Sequence, residues 1–171
     1  MTAPTLEEVL ASRATAGREI VDVEQPLRKL VICQLGDSWF AFHGERIREI
    51  LAQAEVCFVP GCPPSLEGVV NVRGDIEAVI RPHGLLLLPE EPPGPHAAIL
   101  LGRGSGVAGS GLRVDRVVDV TDVTRESIHP PPIDLPPRLA MLVLGMLHWR
   151  EKTVTLLDFD RLLAEYALGQ G

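Results

Sequence analysis

The sequence predicts an all-β fold with a short helix at each end, and three observations predict it. Short runs rich in Val, Ile, Phe and Trp recur along the chain, each bounded by Gly, Pro, Asn or Asp. Sustained helical periodicity is confined to the two ends. At 171 residues, with 46% hydrophobic and 23% charged side chains, the chain can bury a core as one domain or as two small lobes that share one.

At the N-terminus Thr5 and Glu8 form a capping box, followed by Leu6, Val9, Leu10 and Ala14 at helical spacing. An amphipathic helix over about residues 6–16 is expected, then a connector to Pro26, so residues 1–26 stand apart from a main domain at 27–171. From Leu30 the pattern turns to β. Residues 30–35 and 39–42, joined by Gly36-Asp37-Ser38, read as a hairpin. Residues 44–51 fit either period, and residues 56–59 form a brief extended run closed by Pro60-Gly61-Cys62-Pro63-Pro64.

The next stretch organises the chain. Val69, Val70 and Val72 on one side and Ile76, Val79 and Ile80 on the other are two strands meeting at Arg73-Gly74-Asp75. Gly74-Asp75 is expected to supply the positive φ of a tight turn. Arg73 then sits at the tip of a stiff ribbon, either as a planar donor fork for a partner or as a solvated turn residue. Proline-rich residues 89–95 form a loop, and a lobe boundary is expected near 89–96. Residues 97–101 and 112–120 flank a glycine-rich connection and read as a second hairpin. Residues 129–137 hold five prolines and are expected as loop or polyproline II. Residues 141–149 and 152–157 make a last strand pair turning near Arg150-Glu151. Residues 159–168 carry Leu162, Leu163 and Tyr166 at helical spacing, with Gly169 as the stop.

Several function classes are excluded or disfavoured. A net charge of −7 leaves no basic patch for nucleic acid or an anionic membrane, and 4% aromatic residues give no stacking ladder for bases. No apolar run reaches the roughly 20 residues of a membrane helix. The N-terminus lacks the pattern of a secretory signal, so a cytoplasmic protein without membrane insertion is expected. Cys33, Cys57 and Cys62 fit reduced thiols. Cys57 and Cys62 have no second Cys or His pair at zinc-finger spacing, so no metal is expected. Gly104-Ser105-Gly106-Val107-Ala108-Gly109 matches a dinucleotide fingerprint but runs on into β-branched sequence instead of a helix, so no cofactor is expected. Asp158 and Asp160 read as caps of the terminal helix. No nucleophile–base signature is present, and the chain is expected not to be an enzyme.

Gly68-Val69-Val70-Asn71-Val72-Arg73-Gly74 resembles the Gly-x-x-Asn-Leu-Arg-Gly signature of CheW-like domains, the adaptors of bacterial chemotaxis arrays. Residues 114–120 with Ile128-His129-Pro130-Pro131, and Leu144-Gly145-Met146 with residues 154–163, resemble two further blocks of that family. Together the blocks span roughly residues 30–168. The resemblance implies two small five-stranded SH3-like barrels side by side. It also implies a non-catalytic adaptor between the cytoplasmic tip of chemoreceptors and the regulatory domain of a CheA-type histidine kinase, itself a two-barrel fold. Carried over by position, Gly68, Asn71 and Arg73 would lie at the receptor-binding groove. Ile47 and Glu49 would lie on a different, kinase-facing side. Where the family usually has Pro-Val-x-Asp-Leu, this chain has Ala78-Val79-Ile80-Arg81-Pro82, which marks Arg81 as an exposed candidate for partner choice. The departures suggest a diverged member serving another chemosensory pathway or fewer partners. The alternatives are a small-molecule-binding or enzymatic β-barrel, or a CheW-like domain repurposed to inhibit array assembly.

Overall fold

The computed structural model describes residues 26–169, so the helix expected over residues 6–16 lies outside the described residues. Ten strands form two five-stranded sheets among the described residues. The first sheet holds β1 (Leu27–Leu35), β2 (Ser38–His43), β8 (Arg116–Thr124), β9 (Val143–Trp149) and β10 (Lys152–Leu157), in the order β8-β1-β2-β10-β9. The second holds β3 (Ile47–Ala52), β4 (Leu66–Val72), β5 (Asp75–Ile80), β6 (Ala98–Gly102) and β7 (Gly111–Val114), in the order β3-β6-β7-β5-β4. Each is an SH3-like curled sheet with a seam between its edge strands, not a fully hydrogen-bonded barrel.

The interior strands β1 and β6 bury apolar side chains on both faces, and alternation sorts these into different cores. Leu30 and Ile32 point into the first sheet's own core with Ala41, Leu147, Val154 and Leu156. Ile99 and Leu101 do the same in the second sheet with Val70, Val72 and Val79. The residues in between, Val31 and Cys33 on β1 and Ala98 and Leu100 on β6, meet in a third core that joins the two sheets. The terminal helix Phe159–Gly169 docks on that shared core. Phe159, Leu162 and Leu163 are buried, and Phe159 packs edge-on against Phe42 with ring centres 5.5 Å apart. Asp158 caps the helix, its Oδ1 accepting the Arg161 N–H at 3.0 Å, while Asp160 instead pairs with Arg46 at 3.3 Å.

Three sequence expectations change. Residues 89–96 are not a lobe boundary: they lie in the connection from β5 to β6 of one sheet. The chain changes sheet at the short turn Gly44–Arg46 and again at Asp115. Consequently the run 112–120 is two strands, β7 and β8, in different sheets. A single bend residue accomplishes this crossing, and an unbroken β-branched run conceals it. Pro137 opens a helical turn, Pro137–Ala140, in which its fixed φ and missing N–H are harmless at the first position.

Candidate protein-interaction site

The β4–β5 hairpin turns on two residues, since Val72 pairs with Asp75. The left-handed residues are Arg73 (φ 51°) and Gly74 (φ 95°), not Gly74-Asp75 as expected. Positive φ at both positions is the two-residue turn whose twist matches the flanking strands. Asn71 locks it: its Oδ1 accepts the Gly74 N–H at 2.8 Å. Asn71 is exposed, so its amide serves the turn from the surface instead of from a buried site. Gly68 has a different task. Cys57 and Val69 exchange backbone hydrogen bonds of 2.7 and 2.9 Å, and a Cβ on Gly68 would stand 2.1 Å from the Cys57 carbonyl oxygen. Gly68 therefore admits the crossing chain and presents no side chain to a partner.

Arg73 is neither free nor remote from Glu49. Its Nη2 donates to Glu49 Oε1 at 2.5 Å and its Nη1 to Oε2 at 3.1 Å, a bidentate pair. The hydrogen bond from Arg73 holds the Glu49 carboxyl below its ordinary range, and the same bond holds the Arg73 guanidinium above its own. Arg48 donates to Glu77 at 2.8 Å alongside. These two pairs tie the hairpin to β3 across the seam, where the strands share no ladder. Glu49, expected on a different side from Arg73, thus touches it directly. Strand order brings the tip of β4–β5 over the far edge of its own sheet, and local sequence carries no sign of that.

Two clefts adjoin the pair. Along the seam, a cleft of about 530 Å³ is lined by Leu51, Ala54, Val70, Val72 and Arg73. Between the sheets, one of about 330 Å³ is lined by Val31, Ile47, Glu49, Ile50 and Val120. Ile47 is only 6% exposed and belongs to the shared core, so its part is to floor the second cleft. Ile76 is 64% exposed and opposes Asn71 on the hairpin; Phe58 is 75% exposed in the loop entering β4. An exposed large apolar side chain on the hairpin that carries a charged pair fits the composition of a protein interface.

Arg81 is half-buried, not solvent-facing. Its Nη2 donates to the Glu91 carbonyl and its backbone N–H to the Ser65 carbonyl, so it fastens the long β5–β6 connection. The sequence reading also passed over two polar links. Arg113 on β7 makes a buried bidentate pair with Glu67 on β4, at 2.8 and 2.5 Å. Asp115, at the sheet crossing, accepts the Gly36 N–H at 2.6 Å and bonds buried His83 at 3.2 Å. An Arg in an otherwise apolar strand and a lone Asp at a strand break were the available signals.

Comparison with known proteins agrees with this architecture. Residues 29–167 match the CheW-like domain family. The chain is 27% identical over 147 residues to a protein of Rhizobium etli described as a probable chemotaxis protein CheW, covering 85% of this chain and 94% of the relative. Its fold resembles the crystal structure of the scaffolding protein TtCheW from Thermoanaerobacter tengcongensis, with a TM-score of 0.68 at 22% identity, over 77% of this chain and 89% of that one. With two curled five-stranded sheets, the signature hairpin at their edge and this match over most of its length, the chain belongs to the CheW-like domain family.

Proposed function

We propose that this protein is a non-catalytic scaffold that couples chemoreceptors to a CheA-type histidine kinase in bacterial chemosensory signalling. The observation that carries the reading is the Arg73–Glu49 edge: a turn with fixed geometry, a bidentate ion pair, and exposed Ile76 on the same hairpin. Rigid elements bearing an arginine amid apolar side chains suit recognition of another protein. The receptor tip engages Asn71 and Arg73, and the kinase regulatory domain engages Glu49. Gly68 and Ile47 support this surface from behind by spacing the backbone and flooring the cleft, while Arg81 fastens a loop at the other end of the hairpin. Because Arg73 and Glu49 hold one another, either partner's contact acts on the residue the other uses.

The test is reconstitution. A chemoreceptor cytoplasmic fragment and a kinase regulatory domain should co-migrate on size exclusion only when this protein is added. Binding of the kinase domain alone would favour the assembly-inhibitor alternative, and binding of neither would refute the scaffold reading.

A further inference from the structure

The two sheets are built to one plan at the level of single residues. Their strand orders correspond position by position, with the same antiparallel neighbours and the same parallel pair, β2–β10 in one and β7–β5 in the other. In the first sheet Leu156 lies beside Ala41, Ala41 beside Ile32, and Ile32 beside Asp119. In the second, Val79 lies beside Gly111, Gly111 beside Leu101, and Leu101 beside Glu49. Following the register, Asp119 occupies the place of Glu49, and Gly145 that of Gly68.

Independent features fall in step. The ladder slips between Leu66 and Gly68 where β4 meets β5, and between Val143 and Gly145 where β9 meets β10. Val69 bridges to Cys57 beyond the end of β3, and Met146 to His129 beyond the end of β8. A Cβ on Gly145 would stand 2.7 Å from the His129 carbonyl oxygen, as one on Gly68 would meet that of Cys57. Both hairpins turn on two left-handed residues, Arg73-Gly74 and Arg150-Glu151, with arginine first in each. Arg150 Nη2 donates to Asp119 Oδ2 at 3.1 Å.

We infer that residues 145–151 are a second, degenerate copy of the signature, and that Arg150–Asp119 is a latch closing the seam of the first sheet as Arg73–Glu49 closes the second. The copy has lost the turn cap, since His148 stands where Asn71 would, and Glu151 replaces the glycine. In exchange Arg150 lies 4.2 Å over the ring of Trp149, which packs against Trp39 at 5.9 Å. The latch is a property of this chain whatever partners it binds.

Amide hydrogen exchange distinguishes the latch from simple stacking on Trp149. Asp119→Asn leaves the stack intact and removes the pair. It should speed exchange at the β8 edge and the β9–β10 turn about two- to fivefold, the range an exposed ion pair supplies, with β3 and the β4–β5 turn unchanged. The double swap Asp119→Arg with Arg150→Glu, which restores a pair but not the stack, should return the slow rates. Wild-type rates in Asp119→Asn, or a swap as fast as Arg150→Ala, would overturn the latch and leave Arg150 as a stacking residue only.

Discussion

At the scale of single residues, the backbone at two turns and one strand crossing dictates side-chain identity. Gly74 sits at φ 95°, where a Cβ is strained, and Glu151 occupies the matching place at φ 65°. Left-handed backbone disfavours non-glycine residues by about 1–2 kcal/mol, so Gly74→Glu should destabilise by about that much in chemical denaturation. Glu151→Gly should be neutral or stabilising by up to about 1 kcal/mol. Gly68→Ala faces a backbone oxygen that has no rotamer to yield, and should cost more than about 2 kcal/mol while leaving secondary structure intact by circular dichroism. Burial holds the Cys33 thiol well above its ordinary range, with Asp115 adding to the effect, so Cys33 should resist alkylation in the folded protein and react only on unfolding.

Among elements, polar links differ according to how deeply they are buried. Arg113 is 5% exposed, and losing Glu67 would strand its charge in the second sheet; Glu67→Ala should therefore destabilise by about 3 kcal/mol or more. The exposed Arg73–Glu49 pair supports folding far less, and Arg73→Ala should shift Tm by less than about 4 °C. At the junction of β2 with the turn Gly44–Arg46, burial holds the His43 pKa below 6.5, and Arg28 and Arg46 act in the same sense against Glu45 and Asp158. The unfolded chain thus takes up the His43 proton first as pH falls, so stability should drop below about pH 6.5, and His43→Gln should flatten that slope in urea titrations. Strands were legible in the sequence wherever β-branched runs ended at Gly or Pro, as at residues 30–42, 66–80 and 141–157. They were not legible where Asp115 alone splits β7 from β8, because one bend residue leaves hydrophobic periodicity unbroken. The signature residues could likewise be found by pattern, but the Glu49–Arg73 contact could not, since only strand order brings positions 24 apart in sequence together.

Across the whole molecule, two like-built sheets share one core, the terminal helix covers that core, and the signature hairpin is left at an edge. Nothing in this arrangement requires the two proposed partner contacts to be independent. Glu49 faces the cleft between the sheets, Arg73 the cleft along the seam, and each holds the other. A scaffold built this way should report occupation of one cleft at the other. The direct measurement is calorimetry of a chemoreceptor-tip fragment and of a kinase regulatory domain against wild type, Arg73→Glu, Glu49→Arg and the double swap. Each single variant should weaken both partners about tenfold or more, and the swap should recover a substantial part of both affinities. Full affinity for either partner in both single variants would contradict the account, because the ion pair would then lie outside the binding surface.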